Sequence, residues 1–143
     1  MAPDRRAEWD AAHMKKLEVR QFLQASADVK GWFFPIDAAL FGAVERLKPI
    51  DASLPVPHMG WNVLTGMIEH PVLAGLGVEP HVYFVHSYAL NAEKLSQVAA
   101  RCDYGGPFVA AVARDNIFGT QFHPEKSQAM GLRFIANFLS WKP

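Results

Sequence analysis

Pro124 is the strongest single constraint on how this chain folds. It follows an apolar, β-prone run, Phe118-Gly119-Thr120-Gln121-Phe122, and is flanked by His123 and Glu125. Proline fixes φ and has no backbone N–H, so it stops the strand and makes a poor helix interior. His123 and Glu125 are thereby placed at the carboxyl end of a strand, where open α/β sheets collect their ligands. An imidazole beside a carboxylate that can orient it supplies two members of a nucleophilic triad. The third would be a Cys or a Ser, and no obvious candidate stands in the sequence.

Composition narrows the function classes. A chain of 143 residues, half of them hydrophobic and with ten Phe and four Trp, is long enough for one domain with a core of its own. Basic and acidic residues balance at 14 each, which gives no basic surface for nucleic acid or for an anionic membrane. The single cysteine, Cys102, excludes an internal disulfide framework and fits a reducing cytoplasmic setting. No secretory signal is visible behind Met1, and no apolar run approaches the ~20 residues of a membrane helix. The histidines lack zinc spacing with the cysteine. His81 and His86, five apart in a strand, point to opposite faces, so the sequence calls for no metal and no cofactor.

Periodicity and breakers divide the chain. Asp4 to about Ser26 reads as a helix with Pro3 in its first turn. Gly31-Trp32-Phe33-Phe34-Pro35 is aromatic and breaks at the proline. Gly42–Leu47 can form a short strand, and 49–57 is a proline-rich connection. Val63–Gly77 holds a brief helix or turn interrupted at His70-Pro71. His81–Tyr88 reads as one strand. Gln97–Cys102 and Phe108–Ala113 read as neighbouring strands about the turn 103–107. Ile117–Phe122 is the next strand. Ser127 can then cap a last helix to about Ser140, with Met130, Phe134, Ile135, Phe138 and Leu139 on its apolar face.

Three blocks then line up. They are Val56-Pro57-His58-Met59-Gly60-Trp61-Asn62, Tyr83-Phe84-Val85-His86-Ser87-Tyr88, and Asn116 through Ser127. Together they resemble the glutamine amidotransferase subunits of imidazole glycerol phosphate synthase, within the class I, triad-type amidotransferases. The resemblance runs from about Val44 to the C-terminus. It implies an α/β, flavodoxin-like fold, with a mixed sheet and flanking helices. Residues 42–143 would form the C-terminal part of that domain, while 1–41 match nothing in the family and read as helical. It implies hydrolysis of glutamine to glutamate and ammonia, and a (β/α)₈-barrel cyclase partner that uses the ammonia in histidine biosynthesis. Carried onto this chain, it implies that His123 is the general base and acid and that Glu125 orients it. It further implies that Ser87 and Tyr88 hold glutamine, and that His58, Met59, Trp61, Asn62 and Lys126 face the cyclase. The chemistry agrees: thiol attack on an amide needs a base and then an acid, and one imidazole serves both.

The departure from the family lies upstream. Its nucleophile sits in a Gly-x-Cys-x-Gly elbow before the His-Met-Gly-Trp-Asn block, and residues 1–55 contain no cysteine. Cys102, between Arg101 and Asp103, lacks the small neighbours that a sharp nucleophile turn needs. A fragment, a truncated or frameshifted gene product, and a natural variant without glutaminase activity all fit. A truncated, non-catalytic module that keeps the cyclase-binding surface is therefore the alternative. Half of a doubly wound sheet would leave an edge and a face uncovered, which implies marginal stability.

Overall fold

The computed structural model describes residues 41–143. The expected N-terminal helix and the aromatic Gly31–Pro35 segment lie outside the described residues. Seven strands follow: β1 (Gly42–Arg46), β2 (His58–Val63), β3 (His81–His86), β4 (Tyr88–Ala92), β5 (Val98–Asp103), β6 (Pro107–Arg114) and β7 (Ile117–Thr120). Short 3₁₀ turns stand at Pro71–Leu73, Leu95–Gln97 and Pro124–Lys126, and one helix, α1, spans Gln128–Ser140.

β6 is the spine. Its Phe108-Val109-Ala110-Ala111-Val112 run is buried without alternation, as expected of a strand covered on both faces. Along the sheet the order is β1-β4-β6-β5, with β7 also paired to β6. Val109 sits between Leu90 of β4 and Arg101 of β5, while Ala111 to Arg114 pair with Thr120 to Ile117. Asp115 and Asn116 close the β6–β7 hairpin, with Asp115 at φ 50°, the positive value that a two-residue turn demands. Beyond β5, Thr65 and Arg101 exchange two backbone bonds of 2.8 Å, so the 65–68 segment covers part of that edge. Every strand pairing among the described residues is antiparallel.

β2 and β3 form a separate antiparallel ribbon, with His58 opposite His86 and Trp61 opposite Tyr83. The segment expected as one strand, His81–Tyr88, therefore breaks at Ser87, where the chain leaves the ribbon and enters the larger sheet as β4. Hydrophobicity alone could not show this break, because both strands are β-prone and no Gly or Pro separates them. The ribbon and the helix share one aromatic core. Phe84 lies 5.5 Å from Phe108 and 6.1 Å from Phe122, and Phe122 lies 5.4 Å from Phe134 of α1.

Two helix expectations need correction. Phe134 and Phe138 are buried as anticipated, but Leu139 is 65% exposed. Spacing of four keeps Met130, Phe134 and Phe138 on one line, and Leu139 falls about 100° further round the helix. Ser127 does precede α1, yet its hydroxyl does not cap the helix. It is drawn instead into the structure around His123.

Candidate functional site

The site is built where β7 ends. β7 stops at Thr120, two residues earlier than expected. There the Thr120 hydroxyl donates to the Phe122 carbonyl (3.0 Å) and turns the chain. His123 follows in extended conformation, and Pro124 opens the 3₁₀ turn Pro124–Lys126. That turn brings Glu125 back, so that its Oε1 lies 2.8 Å from Nδ1 of His123. His123 is only 7% exposed, while the Glu125 side chain is about a third exposed. With Nδ1 donating to the carboxylate, Nε2 is the unprotonated nitrogen of the neutral ring, the one suited to accept a proton.

The backbone at His123 is held on three sides. Its N–H donates to the Tyr83 carbonyl of β3 at 2.9 Å. Its carbonyl accepts the Ser127 hydroxyl at 2.7 Å and the Lys126 N–H at 3.1 Å, and the Ser127 hydroxyl in turn accepts the Tyr83 N–H at 3.0 Å. Ser127 is fully buried. A single serine thus ties β3 to the turn that carries the imidazole–carboxylate pair. Gly131 makes the close approach possible, because a Cβ there would overlap the Pro124 carbonyl.

Strand parity sorts the His58–Asn62 block into two sets. Met59 and Trp61 point outward at 62% and 47% exposure, with Trp61 edge-on to Tyr83 at 5.8 Å. The sequence grouped His58 with them on a partner-facing surface. Period two instead turns His58 inward, where it is 3% exposed and stacked on Tyr104 at a 3.9 Å ring separation. Asn62 is half-buried on the same inner side. Ser87 lies at the β3–β4 break, Tyr88 is exposed beside it, and Lys126 is exposed at the end of the 3₁₀ turn. Lys126 therefore stands two residues ahead of α1 and not within its first turn.

His58 and His86 were not read as a pair from the sequence. The signal was available: both occupy alternate positions on adjacent β-prone blocks, facing the same way. Nδ1 of His58 lies 2.9 Å from Nε2 of His86, whose Nδ1 lies 2.9 Å from the Tyr88 carbonyl. Burial holds both rings well below the usual imidazole value, at about 4. The carbonyl of Tyr88 pulls His86 back up, whereas nearby His123 adds to the depression. Each ring of the His58–His86 pair is therefore neutral at pH 7.

Cys102 is 0% exposed, its thiol 3.9 Å from the Asp103 carbonyl. Burial, aided by the Asp103 charge, pushes the thiol up to about 12 against that hydrogen bond. The thiolate needed for nucleophilic attack is thus absent at neutral pH. Among the described residues, no three His, Cys, Asp or Glu side chains gather as metal ligands, and no helix is long and apolar enough to cross a membrane.

Comparison with known proteins gives a consistent picture. The model of the family described as "Glutamine amidotransferase class-I" matches residues 36–141. An imidazole glycerol phosphate synthase subunit HisH from Azospirillum brasilense is 58% identical over 101 residues, covering 71% of this chain and 53% of its own length. The same-named protein of Bradyrhizobium diazoefficiens is 59% identical over 105 residues, with 71% and 49% covered. The chain thus spans about half the length of the curated relatives it matches. A solved Thermoplasma acidophilum structure, named as a GMP synthase subunit, superposes with a TM-score of 0.54 at 23% identity. It covers 68% of this chain and 46% of its own, and supports the α/β fold of the class.

Proposed function

Because the chain belongs to the class I glutamine amidotransferase family, we propose that it carries the acid–base half of a glutaminase supplying ammonia to a barrel cyclase, as in imidazole glycerol phosphate synthase. The observation that carries this reading is the 2.8 Å bond from nearly buried His123 to Glu125 on a clamped turn. In this role Nε2 of His123 takes the proton of an attacking thiol. The same nitrogen then returns the proton to the departing nitrogen, so that ammonia leaves and a thioester remains. Water, deprotonated by the same ring, releases glutamate. Glu125 holds the ring's orientation and stabilises its charged form without itself taking the proton.

Ser87 and Tyr88 are the proposed glutamine contacts. They sit at the break between ribbon and sheet, on the strand that continues from the backbone partner of His123. Met59 and Trp61 form the core of the proposed cyclase-facing surface, since large exposed apolar side chains of this kind are enriched where proteins meet. Asn62 and exposed Lys126 are the proposed polar members of the same surface, and His58 contributes from beneath through Asn62. A dry seam of this type also keeps ammonia from protonation and loss to solvent.

The nucleophile is the part the chain does not present. The sole cysteine is buried, raised to about 12, and lies outside any Gly-x-Cys-x-Gly turn. This favours the second reading, a module that retains the partner surface and has no turnover by itself. The two divide on one assay. The chain is mixed with a cyclase barrel and glutamine, with and without the cysteine-bearing first half of a relative. Glutamate formed only with that half, and lost in His123→Ala, supports the acid–base role. No glutamate even with the half, despite binding of the barrel, supports the non-catalytic module.

A further inference from the structure

The inward face of the β2–β3 ribbon carries a hydrogen-bonded chain, Asn62–His58–His86–Tyr88, which the proposed chemistry does not use. Its direction is fixed from both ends. At one end, Asn62 Nδ2 donates to the Asp103 carbonyl (2.9 Å) while its Oδ1 accepts the Val63 N–H (2.8 Å). These two bonds set the amide orientation, so Nδ2 also faces Nε2 of His58 (3.3 Å) as a donor. His58 must then accept at Nε2 and carry its proton on Nδ1, which donates to Nε2 of His86. At the other end, a carbonyl can only accept, so His86 must carry its proton on Nδ1 to reach Tyr88. That leaves Nε2 of His86 as the acceptor His58 requires. The two ends demand the same pair of tautomers.

We propose that His58 and His86 are positioning residues that hold the Ser87–Tyr88 bend in place through this one-way relay from the ribbon. The bend is where β3 leaves the ribbon and β4 enters the larger sheet, and no Gly or Pro shapes it. The bond from His86 to the Tyr88 carbonyl spans it directly. The relay begins at Asn62, adjacent to outward-facing Trp61, so a shift of the ribbon reaches the bend through three side-chain bonds. Its purpose rests on the reading of Ser87 and Tyr88 as substrate contacts; its geometry does not.

The test is NMR of the isotopically labelled full chain at pH 7. Both imidazoles are expected to be neutral and protonated on Nδ1. His58→Phe preserves the ring stacked on Tyr104 and Phe84 but can neither donate nor accept. It is expected to shift the His86 Nε2 resonance and the Ser87 and Tyr88 backbone signals. His58→Gln, which can do both, is expected to return them towards wild type. A packing role alone predicts the reverse, with Phe silent and Gln disruptive. An Nε2-protonated His86 in the wild-type chain, or an unmoved bend in His58→Phe, overturns the proposal. Failure of glutamate release in the reconstitution assay counts against the substrate reading and leaves these signals to decide the relay.

Discussion

A buried thiol and a buried imidazole both resist charging, and each resistance has a measurable consequence. With the Cys102 thiol raised from an ordinary 9.0 to about 12, its thiolate fraction at neutral pH falls by about a thousandfold. An aromatic disulfide reagent should leave folded Cys102 unmodified and label it on denaturation; rapid labelling of the folded chain would contradict the burial. For His58 and His86 the sign runs the other way along the pH axis. Their native values of about 4 lie below the ordinary 6.5, so between those values the unfolded chain binds more protons than the native one. Stability is therefore full above about pH 7 and declines as pH falls from 6.5 towards 4, by at most about 3 kcal/mol per ring. Urea midpoints at pH 7.5 and 4.5 check this, and His58→Phe should flatten the difference. An equal slope in that variant would remove His58 as its source.

At the scale of elements, the turn after β7 depends on two small residues. Ser127→Ala removes a hydroxyl that both donates to the His123 carbonyl and accepts the Tyr83 N–H. The Tyr83 N–H is left unpaired, whereas the His123 carbonyl keeps the Lys126 N–H at 3.1 Å, so the expected cost is about 1–3 kcal/mol. Thermal or urea unfolding of the variant measures that loss. Gly131→Ala sets two effects against each other. Alanine gains about 1 kcal/mol of helix propensity over glycine, but its methyl overlaps the Pro124 carbonyl, and overpacking costs about 1–3 kcal/mol or more. The overlap should win, lowering the melting temperature and disturbing the His123–Glu125 pair; a stabilised Gly131→Ala would show that α1 can move off the turn. These elements also mark what could be read in advance. Pro124 announced the pairing of His123 with Glu125, because proline acts locally, although β7 stops at Thr120, short of the end that the apolar run implied. The helix core at Phe134 and Phe138 followed from spacing. The break at Ser87, the inward turn of His58 and the diversion of the Ser127 hydroxyl were not legible, since each is set by a partner strand distant in sequence.

For the whole molecule, the outward Met59 and Trp61 and the half-length match to the relatives point the same way. The described sheet and ribbon share a core, yet a large aromatic side chain remains in solvent on the face proposed for the cyclase. Adding the barrel should raise the melting temperature in a concentration-dependent manner, as expected of a ligand that binds only the folded state. Trp61→Ala should weaken that shift while leaving the melt of the free chain nearly unchanged. A melt indifferent to the barrel would exclude it as a partner. The decisive assay is glutamate release by this chain with the barrel and glutamine, in the absence of any other polypeptide. None is expected, because the role proposed for the His123–Glu125 pair needs a thiolate, and burial of Cys102 withholds one at neutral pH. Turnover that requires His123 and disappears in Cys102→Ser would contradict that expectation.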